Sequence, residues 1–355
     1  LALAAGILPF AVPEVCAAAL REGLTLCSGP LLLSLFPFLV VSRLLIQCPE
    51  SDLLALPFRL AAWGIGIRTP CAARVLCIGF LGGFAPAASA AAQAVRTGQL
   101  TAEEADALLP ACICSGPSFV VLTVGQSLLG SAELGVLLFA SQITANYLTA
   151  ALLNRFAAVR SVKPGSAAPA SPAPPRLDEI LADAAITYCK LCGFILFFRM
   201  LAAGAGALLP AGAGTLCAVL LEVCSGCDLA SRTGRWGSLL CCAALSVQGL
   251  SVLLQVRTIC PPEMTLRPLY RSRLLHLPLS LALFYLLLPG GEADVFSTLP
   301  ARVLLMRRVP PDCALLVFAV CCMAACTLRS GIRQVEQKQM ARNAGGCCIN
   351  SKTLL

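Results

Sequence analysis

Residues 112–126, Cys-Ile-Cys-Ser-Gly-Pro-Ser-Phe-Val-Val-Leu-Thr-Val-Gly-Gln, constrain the fold more than any other stretch. They lie inside a long apolar run, yet Ser115-Gly116-Pro117 interrupts that run near its start. Proline removes a backbone donor and clashes with the preceding helical turn, and glycine loosens the turn further. In water such a break is a loop. In lipid, backbone N–H and C=O groups are tolerated only where protein or a wet cavity satisfies them. A Ser-Gly-Pro break at membrane depth therefore predicts a re-entrant hairpin or a broken helix facing a cavity. Gly82-Gly83-Phe84-Ala85-Pro86, Ser225-Gly226 and Gln248-Gly249 repeat the device.

Composition decides that lipid is the expected solvent. The chain is 58% hydrophobic and 12% charged, against about 25% charged residues in a soluble domain. That leaves too little polar surface for a water-soluble protein of 355 residues. The expected fold is all-α, a polytopic membrane helical bundle. The net charge is +8, from 26 basic and 18 acidic side chains. Basic residues gather near the ends of apolar runs, as juxtamembrane Lys and Arg do. No basic, aromatic-interleaved face is present, so nucleic acid is not an expected partner. The 21 cysteines lie mostly inside apolar runs, where small buried thiols are expected rather than a disulfide framework. Residues 1–12 are apolar but lack a basic n-region, so they read as the remnant of a membrane helix rather than a signal peptide.

In chain order, residues 13–26 carry Glu14, Arg21 and Glu22 among alanines and leucines, as an interfacial helix does. Residues 31–46 are apolar enough to span, with Pro37 as a kink, and residues 53–67, with Arg59, suit an interface or a span. Residues 71–95 form the first broken run. Thr101-Ala102-Glu103-Glu104 is a capping box, and with Asp106 it marks residues 97–109 as a solvated connector. Residues 110–130 form the second broken run, and residues 134–153 a span with Gln142 and Asn146 one turn apart. The Pro/Ala/Ser-rich residues 155–176 have nothing to bury and read as a linker.

That linker divides the chain into a first membrane half, residues 1–154, and a second, residues 177–328, followed by a basic tail at 329–355 placed in the cytoplasm. The second half repeats the first in outline. Residues 177–190 are amphipathic, and residues 191–209 span and carry Phe197-Phe198 where the first half has Phe36-Pro37-Phe38. Residues 216–229 break at Ser225-Gly226, and residues 236–256 break at Gln248-Gly249. A basic loop at 266–273, an apolar run at 274–288, a polar connector at 289–311 and a last span at 313–328 follow. Glycine-interrupted apolar segments in corresponding positions of two halves point to a transporter's midplane site.

Glu222 is the sharpest site candidate. A carboxylate in an apolar run costs about 2.5–3.5 kcal/mol on insertion scales and so faces a partner or cavity. It suits a proton or cation coupling site or a ligand contact beside Ser225 and Gly226; the structural alternative is a helix-end glutamate. Ser115, Gly116 and Ser118 can offer hydroxyls and free amides to an anion at a half-helix N-terminus, or form a kink met by neighbouring helices. Gln126, Gln142, Asn146, Gln248 and Gln255 suit either a ligand or an interhelical hydrogen bond. Lys190 and Arg199 would supply charge for an acidic solute, or snorkel to the interfaces. Cys224-Ser-Gly-Cys227 and Cys189-Lys-Leu-Cys192 have redox spacing, but chance pairs are expected among 21 cysteines. His276 is the only histidine, so a zinc site is not expected. No Walker loop, nucleophile elbow or catalytic carboxylate pair is present; neither an enzyme nor a cofactor is expected.

The pattern resembles the YlbJ-type sporulation integral membrane proteins, which carry the nucleoside-recognition gate domain. Gly79-Phe80, Gly82-Gly83-Phe84 and the connector Gly98-Gln-Leu-Thr-Ala-Glu-Glu-Ala105 look like the family's first motif. Ser115-Gly116-Pro117-Ser118-Phe119 with Thr123-Val124-Gly125 looks like its second, Leu221-Glu222-Val223 with Ser225-Gly226 its third, and Leu250-Ser251-Val252 with Gln255-Val256 its fourth. Members are similar to concentrative nucleoside transporters. The resemblance implies an integral membrane transporter of a small organic acid or nucleoside-like solute, with dipicolinic acid during spore formation as the leading substrate. It implies the bacterial cytoplasmic membrane, in mother cell or forespore. Expected partners are the solute, membrane lipid, a coupling proton or cation and further copies of the chain. Cys114, Cys224 and Leu253 stand where the family commonly has asparagine, threonine and histidine. The loss of these polar groups leaves a second expectation, a non-transporting membrane scaffold or assembly factor in sporulation.

Overall fold

The computed structural model describes residues 2–47, 52–157 and 177–288. Among the described residues every regular element is helical. The first half holds α1 (Ala2–Ala11), α2 (Pro13–Ser28), α3 (Pro30–Gln47), α4 (Leu56–Gly64), α5 (Pro70–Gly82), α6 (Phe84–Arg96), α7 (Ala102–Cys112), a π-helix (Ser118–Leu128) and α8 (Ala132–Ala157). After the linker come α9 (Leu177–Leu208), α10 (Ala211–Leu221), α11 (Val223–Ser231), α12 (Gly237–Val247), α13 (Gly249–Ile259) and α14 (Arg267–Leu287). Among the described residues three stretches are long and apolar enough to cross a membrane: Ala132–Phe156, Leu177–Leu208 and Gly234–Ile259. The last is broken at Gln248, between α12 and α13.

Local chemistry sets the boundaries. Proline stands in the first turn of α2, α4, α5 and α14, where its missing N–H leaves no orphan and its φ suits a helix. Thr101 and Glu104 form the expected capping box at α7. Breaks fall where glycine permits a left-handed backbone. Gly83, with φ +82°, separates α5 from α6, and a Cβ there would lie 2.7 Å from the Gly116 nitrogen. Gly249, with φ +69°, would place a Cβ 3.0 Å from the Glu222 nitrogen. The first break therefore crosses the second, and the fourth crosses the third. Only a residue without a side chain fits at either crossing.

Packing follows small residues. α6 is buried along most of its length and is built largely of alanine, which lets α3, α5, α7 and α13 approach it closely. The π-helix lies against the start of α8, where a Cβ on Gly125 would come within 2.5 Å of the Gly135 Cα. α2 and α3 pack on α9, α10 on α9 and α11, and α14 on α7, α8 and α12.

Three expectations are corrected. The third break lies at Glu222, not Ser225-Gly226, because the Glu222 carboxylate caps α11 and Gly226 sits inside that helix. Residues 97–109 are not a solvated connector: Glu104, Ala105, Asp106, Ala107, Leu108 and Leu109 are buried in α7. Their carboxylates have protein partners in place of water. Glu104 accepts from the Thr69 hydroxyl at 2.6 Å. Asp106 accepts from the Thr265 amide at 2.8 Å, the Thr265 hydroxyl at 2.7 Å and the Leu266 amide at 3.1 Å. Finally, the basic stretch at 266–273 is largely the opening of α14, not a loop. The linker beyond residue 157, the polar connector at 289–311, the last span at 313–328 and the tail at 329–355 lie outside the described residues.

Candidate functional site

α8, α12 and α14 enclose a buried polar cluster. Gln142, Asn146 and Thr149 lie along one face of α8, and all three are buried. Arg273, His276 and Ser280, three and then four positions apart, lie along one face of α14 and are buried too. Ser246 contributes from α12. The Gln142 amide donates to the Ser246 hydroxyl at 2.9 Å and to the Cys242 carbonyl at 3.2 Å. The Ser246 and Ser280 hydroxyls bond each other, and His276 Nε2 meets the Gln142 carbonyl at 3.2 Å.

Arg273 is the cluster's one charge. Its Nη2 donates to Asn146 Oδ1 at 3.3 Å and its Nη1 to the Ser246 carbonyl at 3.5 Å, both long contacts to neutral acceptors. No carboxylate among the described residues pairs with it. Its Nε, the Nδ1 of His276, Oε1 of Gln142 and Oγ1 of Thr149 are buried without a hydrogen-bond partner. A buried ion costs several kcal/mol unless paired and fully hydrogen-bonded. The uncompensated guanidinium, its free Nε–H and the free Thr149 hydroxyl are the groups here that suit an anion.

The cluster touches the second break directly. Asn146 Nδ2 donates to the Ile113 carbonyl at 3.3 Å, just before Ser115, Gly116 and Ser118. Ser115 is buried, while Gly116 and Ser118, which opens the π-helix, are half-buried. α11 packs on the π-helix and brings the third break to the same region.

Glu222 is buried at that third break, and its carboxylate is occupied: it accepts from the Cys224 amide at 2.8 Å and from the Ser225 amide at 2.7 Å. Arg199, which pairs with Glu22 at 2.7 Å, also lies within electrostatic reach of Glu222. Gly226 allows α11 to meet α10, since a Cβ there would lie 2.8 Å from the Val219 Cα. Gln248 is buried with a left-handed backbone, φ 66°, and its Oε1 has no partner. Gln255 donates to the Ser251 hydroxyl at 2.9 Å and keeps an unpartnered Oε1. Gln126 stands apart, exposed on the π-helix. Lys190 is exposed on α9.

No protein-family model, curated protein or solved structure matches the chain. The site must be judged on its own chemistry. Among the described residues no group of His, Cys, Asp and Glu is arranged to hold a metal ion. Cys224 and Cys227 are free thiols. Burial pushes the thiols of Cys27, on α2, and Cys260, after α13, up to about 12, far above the range of a working thiolate.

Sequence reasoning missed Arg273 and His276 as a pair. Read locally, Arg273 belongs to the basic stretch 266–273 and His276 is a lone histidine in an apolar run. The available signal was their helical spacing with Ser280 in an otherwise apolar segment.

Proposed function

We propose that this chain is an integral membrane protein of two related halves that binds and moves a small organic anion, with dipicolinate as the leading substrate. The observation that carries the reading is Arg273, a buried cation with no carboxylate partner among the described residues, set among polar atoms with unused bonding capacity. Burying such a group in a bundle is costly and is typical of a solute path.

Membrane embedding is supported by the three long apolar stretches and by large apolar side chains bare on the outside, among them Phe10, Leu60, Phe156, Leu274 and Leu286. The two-half reading is supported by reciprocal packing. In chain order α3 corresponds to α9, α5–α6 to α10–α11, α7 and the π-helix to α12–α13, and α8 to α14. α6 then packs on α13 as α11 packs on the π-helix, and α7 on α14 as α12 on α8. Corresponding helices also pair, α3 with α9 and α8 with α14. The close approaches of Gly83 to Gly116 and of Gly249 to Glu222, with α11 against the π-helix, support a reading in which the breaks form a midplane site.

In this mechanism Arg273 meets the solute's carboxylate, and Asn146 Oδ1 and the Ser246 carbonyl hold the guanidinium in place. Ser115, Ser118 and the amides at the head of the π-helix add donors at the second break. Glu222 holds the third break in shape through the two hydrogen bonds that its carboxylate accepts from backbone amides.

The test is flux of labelled dipicolinate and, separately, uridine into proteoliposomes of the purified protein. We expect saturable dipicolinate flux that falls at least about tenfold in Arg273→Gln, equivalent to about 1.4 kcal/mol. Undiminished flux in that variant would remove Arg273 from the path. Uridine flux alone would move the substrate to nucleosides. Flux of neither, from protein shown to be folded, would favour the scaffold.

A further inference from the structure

A second polar site lies away from the Arg273 cluster, where α3, α6, α9 and α13 meet. A cavity of about 160 Å³ opens there, roughly ten times the ~15 Å³ that admits a single water. Arg43, Arg96 and Lys190 line it against one carboxylate, Asp183. Arg43 is buried; it pairs with Asp183 and donates to the Thr187 hydroxyl at 3.2 Å, yet its Nε has no partner. Arg96 is exposed and donates to the Ile259 carbonyl at 3.3 Å. Lys190 has no carboxylate partner among the described residues. The buried Ser89 and the exposed Thr258 add hydroxyls to the wall.

Two features define the ligand. Excess guanidinium and ammonium charge with several hydroxyls matches the multiple oxygens of a phosphate group. The site also sits where α6 ends at Arg96 and α13 ends at Ile259, and its rim carries an apolar flank in Ile186, 55% exposed. If the chain spans a bilayer, these helix ends lie at the water–lipid boundary, where basic pockets between helices hold anionic headgroups.

We propose that this cavity binds the phosphate of an anionic phospholipid, with the acyl chains running along the exposed face of α9 beside Ile186. The inference rests on the membrane reading but not on transport or on Arg273. The full-length protein in detergent would be titrated with phosphatidylglycerol, phosphatidylcholine or inorganic phosphate, and bound ligand counted by native mass spectrometry. The variant is the double change Arg96→Gln with Lys190→Gln, both exposed positions whose replacement spares the buried Arg43. We expect saturable phosphatidylglycerol binding, at least about tenfold weaker for phosphatidylcholine, and at least about tenfold weaker in the double variant, each step equivalent to about 1.4 kcal/mol. Equal binding of both lipids, or full binding by the double variant, would overturn the proposal. Inorganic phosphate binding as tightly as phosphatidylglycerol would overturn the lipid assignment in favour of a soluble phosphate. Carbonate-resistant pelleting of native membranes scores integration separately, so failure of the membrane reading is distinguishable from failure of the lipid site.

Discussion

Arg273 and Glu222 are both buried ionisable residues near helix breaks, but their surroundings assign them opposite roles. The carboxylate of Glu222 is satisfied by two amides, so its removal strands two part-buried donors. Glu222→Ala should cost about 1–3 kcal/mol for each unsatisfied group, seen as an earlier thermal transition of the detergent-solubilised protein; an unchanged transition would mean that water or lipid replaces the cap. The guanidinium of Arg273 has only two long contacts to neutral oxygens. Replacing it with glutamine removes an uncompensated buried charge. Arg273→Gln should therefore stabilise the fold by on the order of 1 kcal/mol while impairing flux. A structural arginine would lose stability on the same change, so the sign of the thermal shift separates the two roles.

The helix breaks carry the next level of organisation, and they test as elements. Gly83 has a positive φ and a neighbouring backbone nitrogen where a Cβ would go, whereas a Cβ on Gly193 of α9 would meet nothing within 4 Å. Gly83→Ala should destabilise by about 1–3 kcal/mol through overpacking and backbone strain. Gly193→Ala should be neutral or gain up to about 1 kcal/mol of helix propensity. Equal thermal shifts in the two variants would mean that the crossing of the first and second breaks is not close-packed. The breaks at Gly83, at Ser115-Gly116-Pro117 and at Gln248-Gly249 were legible in sequence because glycine and proline act locally. The third was placed three residues late: Ser225-Gly226 looks like a breaker, but the chain turns where a buried carboxylate caps the next helix. The burial of α7 was illegible for a related reason. Its acidic residues read as solvated, and their partners Thr69 and Thr265 lie far away in sequence. Arg273 was masked in the same way, since Asn146 and the Ser246 carbonyl come from other helices.

At the scale of the whole molecule, the question is what holds the two sides of the linker together. The ion pairs that cross it are weak candidates. Arg43–Asp183 and Arg199–Glu22 each have a well-exposed carboxylate, and exposed pairs contribute about 0–1 kcal/mol. The buried contacts are stronger: α2 and α3 along α9, α8 along α14, Gln142 to Ser246, and Asp106 to the turn before α14. Asp106 deserves the central place among the polar links, because it accepts three hydrogen bonds from Thr265 and Leu266. Leu266 itself has a left-handed backbone, φ 57°, a conformation that needs such support in a residue with a Cβ. Residues 1–157 and 177–355, co-expressed as separate chains, should therefore co-purify without the intervening linker. Asp106→Ala in the first piece should weaken that association at least about tenfold, or about 1.4 kcal/mol, because the buried Leu266 amide and the part-buried Thr265 amide lose their acceptor. The pair Arg43→Gln with Asp183→Asn should leave it nearly unchanged. Failure of the unsubstituted pieces to co-purify would mean that continuity of the chain, rather than these buried contacts, joins the halves.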